Sequence, residues 1–591
     1  MQPVGYLYDP DSHAASNAFA ENYWFAYVEE ILAQLGAPAR RINVRQGGGL
    51  PGELADLRVL IVGDARSLER VGFAKEIAAW VEAGGTLLGF ASAGLDDLFG
   101  NAFHSETPQR DKGFAVTALV RLRDHDLTTP VYAPFFEDKP LPIFGPVRKV
   151  SAQTSEPLAD LLSVRAAETI FPAVTHRAIG QGHAFYFAFD VAQTMWVLHK
   201  GRPIDGDYDL DGYLRLSDGV AIGDLPQDVP YADELLFLLQ NMLHGAGVPM
   251  VHQLPPLDGE PADLVVFFGG DDEGLSDGSQ VLASDFMKSR GLPYHINIMP
   301  YPDGHFGLTV EDFAHIVANG HEPSIHYNLI DGFDHPTGFT QEDVQRQWDF
   351  YMQTFGRAPV ASVIHWCRWI GWAEPAKWMR EAGCRADNSF IGVTSPPLNP
   401  VNNIGFAFGT AFPHYFYDDW RGENERIDFL AEPIMCYEVG YEGDEVFPEK
   451  THLAVDLAAY FHYTVDFFHH PIYFAGTTGC GKAVDELLRY VAERKLRAIY
   501  LGCDAVWEWW DARHRSSVEV TSQTSDELSL TVRCEYATGM VVKVPATREV
   551  VSVSIGGEEV APVLEEHVGR RYLMIVCPQG DSAIAVQFAG G

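Results

Sequence analysis

Leu264-Val265-Val266-Phe267-Phe268-Gly269-Gly270-Asp271-Asp272-Glu273-Gly274 is the stretch whose reading decides the fold. Its apolar opening, without polar interruption, predicts a strand buried on both faces. Two glycines and an acidic pair follow. Barrel and α/β folds carry their reactive groups at such C-terminal strand ends. Downstream comes Gly320-His321-Glu322-Pro323-Ser324-Ile325-His326-Tyr327. Carboxylate oxygen and imidazole nitrogen together suit Zn, with Co, Ni or Fe as alternatives.

Working outward, strand-like and helical runs alternate across residues 263–514. They include Ala283–Ser289, Pro293–Ile298, Thr309–Ala318, Gln341–Phe355, Val360–Ile364 and Pro375–Glu381. Such alternation predicts an α/β unit, a parallel (β/α) barrel with its site at the C-terminal mouth.

The motifs and their order resemble the polysaccharide deacetylase family, whose barrel is irregular. The resemblance implies that Asp271 is a general base and that Asp272 and His326 are metal ligands. The family's next His would fall at Ile330, which cannot bind a metal. The third ligand is then His365 or His335, and the strand end makes His365 the choice. Arg368, in Trp366-Cys367-Arg368-Trp369, corresponds to an Arg that orients the base. The late run Val465–Phe468 followed by His469-His470-Pro471 corresponds to the strand bearing the general acid. His470 matches that acid, with His469 in reserve. The tryptophans at 366, 369 and 372 are core or a sugar platform.

Residues 1–250 read as a separate α/β domain. Val4–Tyr8, Leu57–Val62 and Thr86–Phe90 alternate with helical patterns at Asn17–Leu35 and Phe73–Ala83, which gives a parallel sheet. Residues 112–190 look like a β-rich insertion. With Gly180–Ala192, the pattern resembles class I glutamine amidotransferase-like domains. Those use a Cys on a sharp turn after a strand, and no Cys occurs before Cys367. A non-catalytic role follows, with Ser92 at the corresponding turn. Asp207, Asp209, Asp211 and Asp218 have the spacing of a calcium loop, which competes with a plain acidic loop. Gly247–Pro261, rich in Pro and Gly, reads as a linker. Residues 515–591 change to a period of two and predict a small β-sandwich.

Two further stretches bear on function. Ser395–Gly443 looks like a long loop over the barrel mouth, with Asp419 and Trp420 as pocket candidates. Gly476–Lys482 fits a phosphate loop until Ala483, where a hydroxyl is needed, so nucleotide binding is not indicated.

Composition narrows the function classes. The 591 residues carry a net charge of −39, which argues against nucleic acid as partner. No run approaches the ~18 apolar residues of a membrane span. The start, Met1-Gln2-Pro3-Val4, has no basic and apolar signal pattern, so the expectation is a cytoplasmic protein, or a secreted one if a leader was removed. The seven cysteines include no Cys-x-x-Cys, so no disulfide framework or Cys-type zinc site is indicated. The expected activity is metal-dependent removal of an acyl group, N-acetyl by resemblance, from a carbohydrate. The alternatives are a metal-dependent amidohydrolase on a small non-sugar C–N substrate and a non-catalytic carbohydrate-binding protein. Homo-oligomer formation stays open.

Overall fold

The computed structural model describes residues 2–44, 50–63, 73–137, 139–333, 338–391, 403–441, 448–475 and 478–589. The long-loop positions 395–402 and 442–443 and the phosphate-loop positions 476–477 lie outside them, as does His335.

The N-terminal unit is built on a nine-stranded sheet. Val4–Tyr8, buried along its whole length, lies between Ala39–Asn43 and Val59–Val62 in parallel register. Thr86–Phe90 and Gly182–Phe187 extend the parallel half. The other half is antiparallel and runs through Glu168–Ile179, Glu156–Ser163, Ala118–Leu122 and Leu141–Ile143. The parallel expectation therefore holds for one half only. Among the described residues most strands of the β-rich region widen the sheet, while Val147–Ala152 pairs apart from it with the preceding Asn101–Thr107.

The Asn17–Leu35 helix is broken. One helix spans Pro10–Ala18, a 3₁₀ turn spans Trp24–Tyr27, and a second helix spans Val28–Leu35. Tertiary hydrogen bonds override the periodicity at the break. Asn424 Oδ1 accepts from Tyr23 N at 3.0 Å, and Asn22 Oδ1 accepts from Trp420 N at 2.8 Å. The second helix stops at Gly36, at φ 65°, where a Cβ would lie 2.1 Å from the Val251 carbonyl oxygen. Only glycine fits both the left-handed turn and that approach.

The central unit uses residues 264–271 as one bent strand shared by two sheets. Leu264–Phe267 pairs with Thr464–Phe468 on one side and Ala498–Leu501 on the other. Gly269–Asp271 then leads into a parallel series through His295–Ile298, Glu322–Tyr327, Ala361–Ile364, Ala386–Asp387 and Arg426–Ala431. The expected barrel is not closed by hydrogen bonding among the described residues. The series stops at the Arg426–Ala431/His414–Tyr417 hairpin, and Cys436–Tyr437 belongs to the other sheet. Pro433, between them, has no N–H to give to a ladder.

The C-terminal region forms a four-stranded and a five-stranded antiparallel sheet. The Gly247–Pro261 stretch is not a free linker. Met250–Val251 pairs with Met540–Pro545 as an edge of the four-stranded sheet, and His252, Gln253 and Leu254 are fully buried. Among the described residues, no helix is long and apolar enough to cross a membrane.

Arg513, on helix Cys503–Arg515, ties three of these regions together. It donates to the carbonyls of His252, Ala33 and Gln34, each at 2.9 Å, and of Val251 at 3.0 Å. Burial lowers its pKa to about 9. Arg513→Met would leave the carbonyls of Ala33 and Gln34 with Gly36 N and Gln253 Nε2 but take the Arg513 donor from those of Val251 and His252, at a cost of about 1–3 kcal/mol for each that water cannot reach. Denaturant unfolding should show a loss of at least ~2 kcal/mol. An unchanged midpoint would mean the contacts are not holding the regions together.

Candidate functional site

The bent strand delivers its acidic run to the C-terminal ends of the parallel strands. The strand ends at Asp271, and in the turn that follows Glu273 comes round to the site while Asp272 takes the other direction. Glu273 sits at φ 52°, a left-handed backbone conformation that a non-glycine residue adopts at a cost.

Asp272 is therefore placed away from the expected ligand position. Its Oδ1 accepts from Gly274 N at 2.8 Å and Met299 N at 2.9 Å, and its Oδ2 from Gln280 Nε2 at 3.3 Å. It fastens the loop to its neighbours. Burial pushes its pKa up to about 7 against these hydrogen bonds.

The other groups converge. His326, on strand Glu322–Tyr327, places Nε2 3.6 Å from Asp271 Oδ2. His365 follows strand Ala361–Ile364, with its ring centroid 5.1 Å from that of His326. Its Nδ1 lies 3.3 Å from Glu273 Oε2. Beyond strand Thr464–Phe468, His470 Nε2 lies 2.9 Å from Glu273 Oε1, and its Nδ1 makes a short hydrogen bond to Glu438. His469 takes the opposite direction, with Nε2 3.0 Å from the Val439 carbonyl oxygen. The strand's alternation thus separates the two histidines.

Burial dominates the electrostatics. It raises the pKa of Asp271 well above the usual carboxylate value, with His470 opposing and Glu273 reinforcing the shift. Burial also lowers His326 far below the usual imidazole value and lowers His365. His470 goes the other way, because Glu438 and Glu273 outweigh its burial. For Glu273, burial is outweighed by the His470 hydrogen bond and the imidazole charges, which hold it at about 2. Both ring nitrogens of His326, Nδ1 of His365 and Oδ1 of Asp271 are buried without a hydrogen-bond partner. Those orphaned atoms, with the Glu273 carboxylate, form a donor set that suits a transition metal. Asp271, Glu273 and His470 can also each present one ligand atom within 4.8 Å of the others.

Arg368 is not placed as an orienter of Asp271. Its Nη1 donates to the Leu329 carbonyl at 2.9 Å, and its guanidinium lies 5.9 Å from the Tyr213 ring centre. The arginine at the cavity is Arg215, from the N-terminal unit. It pairs with Asp211 at 2.6 Å and donates to the Trp366 carbonyl at 2.7 Å. The acidic loop thereby roofs a cavity of 390 Å³ that opens on Asp271, Glu273 and His470. Asp207, Asp209 and Asp211 bring one carboxylate oxygen each within 4.8 Å of the others. Asp218, expected at the loop's last ligand position, instead accepts backbone N–H bonds from Tyr208, Asp209 and Arg215. Asp419 and Trp420 line a different cavity, against the N-terminal unit. Ser92 is buried, with no hydrogen-bond partner for its hydroxyl.

Sequence reasoning passed over Glu273, Glu438 and Arg215. Glu273 had a signal, its two-residue offset from Asp271. Glu438 and Arg215 had none, because each arrives from a distant segment.

No family model matches the chain. No curated protein matches it either. Similar solved structures include the carbohydrate deacetylase Agd3, at 11% identity and TM-score 0.40, covering 100% of this chain and 99% of that one. A polysaccharide deacetylase-type protein from Mycobacterium smegmatis is similar at 14% identity and TM-score 0.32, covering 46% of this chain and 99% of that one. A β-galactosidase from Rahnella sp. R3 is similar at 18% identity and TM-score 0.24 over 32% of this chain, a match that spans only 28% of the galactosidase's length.

The Glu273–His470–Glu438 clamp has a calculable pH signature. Glu273, held at about 2 against its ordinary 4.5, contributes stability above pH 4.5 that is lost as pH falls toward 2. His470, held well above 6.5, contributes stability in full below 6.5 that is lost as pH rises through the raised value. In chelator-treated protein, the stability difference between wild type and His470→Gln should peak between pH 4.5 and 6.5. Thermal unfolding across pH checks this, and a flat difference would show that the clamp is uncharged.

Proposed function

We propose that this protein is a metal-dependent hydrolase that removes an acyl group from a carbohydrate amine, N-acetyl in the simplest case. The observation that carries this reading is the set of buried, unpartnered nitrogens on His326 and His365 facing the carboxylates of Asp271 and Glu273. Unpaired buried polar atoms are costly, so a cluster of them at the mouth of parallel strands points to a ligand.

His326, His365 and Glu273 would hold the metal, with zinc favoured and Co, Ni or Fe also suited to this donor set. Glu273 thus takes the part first expected of Asp272. When bound, the metal supplies Lewis acidity toward the carbonyl and lowers the pKa of water. Asp271 serves as general base at Oδ1. Its buried position raises its proton affinity, which a general base needs. His470 donates a proton to the leaving nitrogen. Glu438 positions it through Nδ1 and favours its charged form. Trp366, 48% exposed beside His365 and lining the cavity, offers an aromatic face to a sugar ring.

Elemental analysis of protein purified without chelator tests the assignment. One equivalent of transition metal is expected in wild type and in Asp272→Asn, and its loss in Glu273→Ala and His326→Ala. Asp271→Asn and His470→Ala should keep the metal and lose about 10²–10⁴-fold in kcat on N-acylated amino sugars. Wild-type protein that takes up no metal after reconstitution would sink the reading.

A further inference from the structure

The cavity beside the acid–base cluster is larger and more apolar than an acetyl group needs. Its 390 Å³ falls within the ~300–1,000 Å³ of pockets that hold whole ligands, whereas an acetyl group presents one methyl. Val363, Ile434 and Phe468 form an apolar cluster separate from the main core, with Ile391 and Tyr437 packed against it. All of these line the cavity. Leu216 and Val220, from the acidic loop's flank, complete the roof on the same cavity. Asp271, Glu273 and His470 stand together as one polar end, and Asp211, Arg215 and Ser217 add polar groups from the covering loop.

Such a chamber selects which part of a substrate enters it. A sugar ring would leave hydroxyls against apolar walls without partners, at a cost of ~1–3 kcal/mol for each. The acyl chain is the only part of an N-acylated sugar with no polar atoms beyond its carbonyl. The sugar then lies outside, toward Trp366, with the scissile carbonyl at the polar end.

We propose that this cavity is an acyl chamber and that the group removed is a linear acyl chain longer than acetyl. This rests on the hydrolase reading above. The reaction is amide hydrolysis. Water oxygen bonds to the carbonyl carbon as Asp271 takes a proton from the water, the C–N bond breaks, the amine leaves with a proton from His470, and the acyl chain leaves as a carboxylate. No electron donor or acceptor is required. The chamber accounts for the apolar lining around a polar cluster, which removal of acetyl alone does not.

The test pairs binding with turnover. Calorimetry on the metal-loaded protein would measure acetate, butanoate and hexanoate, the carboxylate products of such a reaction. Burying one methylene is expected to tighten binding about fourfold. The same series as N-acyl glucosamines should show kcat/KM rising by a similar factor per methylene. Val220→Trp and Ile391→Trp, which fill the chamber from two walls, should each flatten the slope. Two variants guard against one failing to fold, and circular dichroism reports which have folded. Equal affinity for acetate and hexanoate would overturn the chamber, as would a slope that neither folded variant changes. A chain-length slope in binding with no hydrolysis of any N-acyl sugar would keep the chamber and overturn the hydrolase reading. Hydrolysis of N-acetylglucosamine with no gain for longer chains would do the reverse.

Discussion

The site depends on one close approach of backbone to backbone. At Gly270, a Cβ would lie 2.0 Å from the His469 carbonyl oxygen and 2.2 Å from Tyr294 Oη. Tyr294 itself hydrogen-bonds that same carbonyl. At Gly269, a Cβ would lie 2.8 Å from Asn388 Oδ1. The absent side chains let the first and late strands of the central unit pack closely where the chain passes from one sheet to the other. His469 N also donates to the Gly269 carbonyl at 2.9 Å. That contact sets Asp271 and Glu273 on one side and His470 on the other at hydrogen-bonding range. Any side chain at Gly270 would move the acid away from the carboxylates.

The charges that this packing buries are managed in two ways. His470 hydrogen-bonds both Glu273 and Glu438, and the opposite pKa shifts of Glu273 and His470 express that support. For Asp271 and His326 burial is the largest influence and outweighs the opposing neighbours, His470 for Asp271 and Glu273 for His326, so each is pushed toward its neutral form. A site with both kinds of group is prepared for proton transfer at one end and for a cation at the other. The covering loop adds a charged pair, Arg215 with Asp211, to the lining of the same cavity.

Much of this was legible in residue order. The apolar run before Asp271 marked the strand, and His326, His365 and His470 could each be placed at or beyond a strand end. The period of two separated His469 from His470 in advance. The same period, applied to Asp271-Asp272-Glu273, would have put Glu273 rather than Asp272 beside His365. Arg368 was expected from resemblance alone, and the left-handed backbone at Trp366 and Cys367, at φ 56° and 51°, precedes an arginine whose Nη1 goes to the Leu329 carbonyl. The Gly247–Pro261 stretch had a linker's composition, yet tertiary pairing with the C-terminal sheet outweighed it.

The sequence by itself determined the strand-and-helix alternation, the change to period two after residue 515, and the acidic and imidazole groups available for chemistry. These follow from local hydrophobic pattern and side-chain type, which need no partner to be read. Tertiary structure alone decided that the ladders among the described residues stop short of a closed barrel, that Glu438 hydrogen-bonds His470, and that a loop of the N-terminal unit lines the cavity. Each is a meeting of segments far apart in the chain, as where Arg215 donates to the Trp366 carbonyl. Such meetings are chosen by packing and hydrogen-bond satisfaction over the whole molecule, and no local pattern carries them.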